Sequence, residues 1–392
     1  MCAYTFLRDL VLLYPVYALL FAEHGLSPAE ISSLFVIWSV TAFALEIPSG
    51  LWADLFSRRL LLVCAPLLSA MGFALWTFVP SYPAFAAGFV LWGADSALRS
   101  GTWQALTYEQ LARCGQAEAY PALVGRAHAM GTSAALLADV LAAPVLAAAG
   151  YWAVGMASVA ACVVTALTAL TFPSRRTSQG TAAVPADGHP EPAPTLRTVA
   201  ASALAQARGS PGVARAVVLT AVVTGVTALD EYVPLLAQAT GAAPVMLPLL
   251  VGLVSAGAVA GGWLAGRGER WAAPVLAAGA LLLTAASCAA AVRVPAGFLP
   301  LAAAFAAFYW AVAHTEARLQ ERVDDSARAT VTSVAGFGSE VVAVAVYSGY
   351  AAGSAAGAGP APLFACAAVP FLCAAYALRR GSARPTAMSE SR

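Results

Sequence analysis

Glu46-Ile47-Pro48-Ser49-Gly50-Leu51-Trp52-Ala53-Asp54-Leu55-Phe56-Ser57-Arg58-Arg59 is the stretch on which the reading of this chain turns. Glu46, Gly50 and Asp54 recur at intervals of four, so on a helix they share one face. Gly50 lets a neighbouring helix come close to that face, and Pro48 bends the run leading up to it. Long apolar runs lie on both sides, near residues 31–53 and 60–80. Each is long enough to cross a hydrocarbon layer, which takes about 20 mostly apolar residues. A carboxylate and two arginines between two such runs mark a turn at a membrane surface.

Composition agrees. Of 392 residues, 60% are hydrophobic and 10% charged, against roughly 25% charged in soluble domains. A water-soluble fold of this composition would lack the polar surface to cover itself. The net charge of +1 offers no basic field for nucleic acid. Seven cysteines are scattered without C-x-x-C spacing and imply no disulfide framework or metal site. The first apolar run ends in Glu23-His24-Gly25 rather than a small-x-small cleavage site, and reads as a retained helix.

Twelve apolar runs can be placed, near 4–23, 31–53, 60–80, 83–109, 120–149, 151–172, 212–238, 244–266, 272–293, 297–317, 328–352 and 361–379. Arginines fall after the even-numbered runs, at Arg58, Arg59, Arg113, Arg175, Arg176, Arg267, Arg270, Arg318, Arg322, Arg379 and Arg380. The opposite loops hold almost only Arg293. Short cytoplasmic loops are enriched in positive charge, so both termini are expected in the cytoplasm.

Residues 174–209 turn polar and rich in Pro, Ser, Thr and Gly, and read as a cytoplasmic linker. The expected organisation is an N-terminal six-helix half over 1–173, the linker over 174–209, a C-terminal half over 210–380 and a cytoplasmic tail over 381–392. The halves echo each other. Gly50-Leu-Trp-Ala-Asp54 followed by Arg58 matches Gly262-Trp-Leu-Ala-Gly266 followed by Arg270. Duplicated halves that rock around a midplane site are a transporter architecture.

The stretch 46–59 resembles the G-x-x-x-D-x-x-x-R-[RK] signature of the major facilitator superfamily, and Glu-x-Pro-x-Gly before it resembles a variant in drug-efflux branches. The resemblance implies an all-α membrane protein with twelve transmembrane helices in two pseudo-symmetric six-helix bundles, working as a monomer. It also implies that Asp54 meets the N-terminus of the eleventh helix, where the helix dipole favours a carboxylate. Glu46, Gly50, Asp54, Arg58, Arg59 and Glu109 then form a cytoplasmic gate. The fifth helix departs from the efflux pattern G-P-x-x-G-G, reading Ala143-Pro144-Val145-Leu146-Ala147-Ala148, which leaves the direction of transport open.

Charges within the apolar runs need a partner, a cavity or a function. Asp95 and Arg99 are four apart on the fourth helix, with Trp103 following on the same face. They are either a self-neutralising pair or a pair that opens to a polar substrate group. Tyr14 and Tyr17, which follow Arg8 and Asp9 on the first helix, and Asp230 on the seventh helix complete the candidate substrate cavity. Glu340 falls near the middle of the eleventh helix, beside Gly336 and Gly338. It is a candidate proton carrier, or else the partner of an arginine such as Arg8 or Arg126. His128 and Asp139 on the fifth helix are eleven apart, three turns, and join it as coupling candidates.

No phosphate loop, H-E-x-x-H or G-x-S-x-G motif is present, so neither ATP-driven transport nor hydrolysis is expected, and no cofactor. The expectation is a secondary transporter in a bacterial inner membrane, exporting a drug-like or amphipathic metabolite in exchange for protons. Its partners are the substrate, protons and the lipid bilayer. Proton-linked uptake of a small polar metabolite is the alternative; a membrane sensor or enzyme that transports nothing is the rival from another class.

Overall fold

A computed structural model describes residues 1–173, 211–265, 271–323 and 328–382, apart from side chains at 47, 50–51, 53–55, 328–330 and 381–382. The linker over 174–209, the tail over 383–392 and the echo at Gly266 and Arg270 lie outside the described residues. Every regular element among those described is helical.

The N-terminal half runs through α1 (Cys2–Asp9), α2 (Tyr17–Glu23), α3 (Pro28–Leu55), α4 (Arg58–Phe78), α5 (Tyr82–Arg99), α6 (Thr102–Arg113) and α7 (Tyr120–Leu170). The C-terminal half follows with α8 (Pro211–Val226), α9 (Val233–Ala239), α10 (Leu247–Leu264), α11 (Ala272–Ala291), α12 (Phe298–Glu321), α13 (Arg328–Ala355), α14 (Pro360–Cys366) and α15 (Ala368–Ser382). Nine stretches of the described chain are long and apolar enough to cross a membrane. One of them, Ala117–Leu170, is split at Gly150 (φ 67°, ψ −169°), where the fifth and sixth runs were expected to part.

Local signals set the helix ends. The amide of Ser27 donates to Glu30 Oε2 (2.8 Å) and the amide of Glu30 to Ser27 Oγ (3.3 Å), with Pro28 in the first turn of α3. This reciprocal cap satisfies amides that the helix itself leaves open.

Four runs expected as continuous helices are interrupted, and each interruption has a cause. The first breaks over residues 10–16, where Pro15 cannot donate and its ring clashes with the preceding turn. The amide of Leu13 donates instead to Ser158 Oγ of α7 at 3.0 Å, which is how a broken helix survives where no water reaches. The fourth run breaks at Gly101, whose φ of 73° suits glycine. Asp95 and Trp103 therefore stand on separate helices rather than on one face. The seventh run tightens to a 3-10 helix over Thr227–Tyr232, just before Pro234 removes the amide that Asp230 would have received. Pro370 likewise parts α14 from α15.

The chain divides into two compact units, Met1–Glu191 with Ala243–Gly252, and Pro192–Ala242 with Leu253–Arg392. In the first, Tyr17, Phe21, Phe73, Trp76, Phe85 and Phe89 form a buried aromatic core, with Phe21 and Phe85 centroids 4.3 Å apart. Such pairs add about 0.5–1.5 kcal/mol beyond their buried area. In the second, α8 crosses α13 closely at Gly225, where an added Cβ would stand 2.5 Å from both the Ser339 carbonyl oxygen and Val342 Cβ.

Candidate functional site

In the N-terminal unit two charge pairs, one on α1 and one on α5, gather near the break in the first run. Arg8 pairs with Asp9 through two hydrogen bonds of 2.6 Å. The Asp9 carboxylate lies against Gly131 of α7, where any Cβ would collide with it. On α5, Asp95 is 4% exposed; Ser69 Oγ donates to its Oδ2 at 3.0 Å and Arg99 Nη2 at 3.3 Å. Asp95 Oδ1 and Arg99 Nε find no partner among the described residues. Both of these atoms are buried, although the Arg99 side chain is 20% exposed as a whole; a buried unmet polar atom costs about 1–3 kcal/mol, so the pair has capacity for a further polar group. Tyr4, Tyr14 and Asp9 share the surroundings of Arg99. Tyr14 stacks on Trp92 at 5.3 Å, forming an aromatic wall beside the charges.

In the C-terminal unit, Tyr309 of α12 donates to Asp230 Oδ2 at 3.3 Å, at the 3-10 break of the seventh run. The ring of Tyr347 on α13 is 2% exposed and lies near Asp230, Glu231, Tyr232 and Glu340. A cavity of about 590 Å³ opens between α8, α12 and α13. Glu340, Ser339, Glu316, Thr220 and Thr224 line it. The Thr220 and Thr224 hydroxyls are buried without a hydrogen-bond partner among the described residues. Its volume suits a drug-sized ligand, and its wall offers carboxylates and hydroxyl oxygens.

At the turn between α3 and α4, an Arg58 Nη1 hydrogen bond joins Glu109 Oε1 of α6 in an ion pair. Arg59 is half-buried beside it and Glu46 is exposed. Gly50 and Asp54 sit in the last two turns of α3, and what surrounds their side-chain positions lies outside the described residues.

The other residues singled out from the sequence are more dispersed. Tyr17 is 4% exposed within the aromatic core. Trp103 is buried with Tyr4, Leu62, Leu106, Ala127 and Phe172. Asp139 is buried against Gly252, whereas His128 is exposed, so the two occupy different environments. Arg8 is engaged by its neighbour Asp9. Sequence reasoning did not find Tyr4, Ser69, Trp92, Tyr309, Thr220 or Thr224. Only the last two left a signal, hydroxyls four apart inside an apolar run.

Known folds match this arrangement. A mutant of the nucleoside transporter NupG superimposes with a TM-score of 0.76 at 13% identity, covering 97% of this chain and 98% of that one. An autoinhibited POT family peptide transporter gives 0.69 at 15% identity, covering 100% and 98%. A bacterial homolog of the human lysosomal transporter Spinster gives 0.64 at 14%, covering 97% and 93%. No curated protein sequence matches the chain. The family model of the Major Facilitator Superfamily matches residues 3–347. This all-helical, multi-pass membrane protein therefore belongs to the Major Facilitator Superfamily of secondary transporters.

Proposed function

We propose that this transporter exports a small amphipathic compound in exchange for protons, as a monomer in a bacterial inner membrane with both termini cytoplasmic. The observation that carries the reading is the cavity of the C-terminal unit, where Glu340 faces a drug-sized space with Glu316 and two threonine hydroxyls that have no hydrogen-bond partner among the described residues. A carboxyl in such a place can take up a proton or a cationic group in turn. The interrupted first and seventh runs add support. Breaks at corresponding positions of two repeats point to a transporter's binding site, and here they bear Asp9 and Tyr14 in one unit and Asp230 in the other. Cells expressing the protein should retain less of an amphipathic fluorescent compound than cells without it, and an uncoupler should remove the difference. Higher retention would replace export with uptake.

Proton-linked uptake of a small polar metabolite is the second reading. Asp95 and Arg99 favour it, since each keeps a buried polar atom without a partner among the described residues and the two together suit a zwitterionic or hydroxyl-bearing group.

The turn at 46–59 acts as the cytoplasmic gate in either case, with Arg58 holding α4 to Glu109 of α6. The pair is partly exposed, 21% and 37% by side chain, and is worth at most about 1 kcal/mol. Glu109→Gln should slow turnover by up to about fivefold without changing substrate affinity. A wild-type rate would remove the pair from the gate.

A further inference from the structure

The C-terminal unit holds a second cavity, of about 420 Å³, at the ends of α8, α12 and α15. Arg215, Arg318 and Arg322 line it together with His314, and among the described residues none that lines it is acidic. His314 is 6% exposed and stacks on Trp310 with centroids 5.2 Å apart and planes 7° apart. Arg322 Nη1 reaches the Gly212 carbonyl at 3.5 Å, which turns the guanidinium across the space toward α8. Leu219 and Leu378 supply an apolar wall.

Enrichment of arginine on the cytoplasmic side explains why these residues occur near helix ends. It does not explain why three of them, from two helices, converge on one concave space with a buried imidazole. Concave surfaces lined by one sign of charge concentrate the opposite sign. Guanidinium groups match phosphate oxygens in planar, two-point contacts. Among the described residues neither Arg215 nor Arg322 forms an ion pair with a carboxylate. Basic pockets between transmembrane helices are a recurrent way of holding anionic headgroups.

We propose that this cavity is a phosphate-binding site that takes the headgroup of an anionic phospholipid from the adjoining leaflet. The arginines contact the phosphate, and the Leu219 and Leu378 wall takes the first part of the acyl region. The site is separate from the Glu340 cavity: α12 presents His314 and Arg318, with Arg322 just past its end, to one and Glu316 to the other.

The test is thermal denaturation of the purified full-length protein in a neutral detergent, titrated with phosphatidylglycerol, phosphatidylcholine or inorganic phosphate. Phosphatidylglycerol should raise the melting temperature saturably, and phosphatidylcholine should not. In Arg215→Gln/Arg322→Gln the half-saturating lipid concentration should rise about thirty-fold. Should that variant fail to fold, Arg215→Lys/Arg322→Lys keeps the charge, loses the planar fork and should show an intermediate weakening. A shift that inorganic phosphate reproduces alone would keep the phosphate site and overturn the lipid as its source. Equal responses to both lipids, or equal responses of wild type and variants, would overturn the site. So would no response at all.

Discussion

Glu340→Gln is expected to abolish accumulation of substrate against its gradient while leaving substrate exchange running. Glutamine keeps the size of the side chain and can still hydrogen-bond, but it cannot ionise, so it neither carries a proton nor holds a negative charge. Glu340 lies in the body of α13, faces a cavity of about 590 Å³ and shares the surroundings of Tyr347 with Asp230 and Glu231. Exchange of one substrate molecule for another needs no net change of protonation, so it tests folding and binding independently of coupling. With an imposed gradient of one pH unit, a one-for-one exchange sustains about a tenfold substrate ratio. In Glu340→Gln that ratio should fall to about one. A variant that still reaches the wild-type ratio would remove Glu340 from the coupling path.

The largest loss of stability is expected at Gly225→Leu. A Cβ there would stand 2.5 Å from the Ser339 carbonyl oxygen, which belongs to helix backbone and cannot swing aside as a side chain would. Ala221, one turn earlier, meets Gly338 of α13 in the same way, so small residues on both helices bring the backbones together. Overpacking of this kind costs about 1–3 kcal/mol, and a leucine without a rotamer that clears the backbone should fall at the upper end. Gly349→Leu on α13 is the matched control, since nothing lies within 4 Å of its Cβ position. It should change the melting temperature little. Equal melting temperatures for the two variants would mean that the α8–α13 crossing is looser than described.

Much of the fold could be read from one dimension because lipid makes hydrophobicity nearly decisive. Runs at 31–53, 60–80 and 272–293 became Pro28–Leu55, Arg58–Phe78 and Ala272–Ala291. Gly150 marked the boundary between the fifth and sixth runs because its positive φ ends a helix. The breaks near Pro15, Gly101 and Pro234 were harder to read. An interruption of a few residues leaves mean hydropathy almost unchanged, and a proline is tolerated in a membrane helix when a neighbour satisfies the freed amide. At Leu13 that neighbour is Ser158, 145 positions away, which no local pattern reveals.

The candidate site shows the same division. Asp95 and Arg99 were legible as a pair because an i,i+4 spacing fixes their proximity on one helix. Ser69, which donates to Asp95, and Tyr309, which donates to Asp230, come from other helices. Trp103 was assigned to the face of Asp95 by counting through Gly101, and the positive φ there sends it into the hydrophobic cluster around Tyr4 instead.

The most direct measurement is flux in proteoliposomes of purified wild-type protein under an imposed proton gradient, with internal pH and substrate content read together across a panel of amphipathic compounds and polar metabolites. Proton movement opposite to that of an amphipathic compound is the predicted result. Proton and substrate moving in the same direction, or a substrate moving with no change in internal pH, would contradict it.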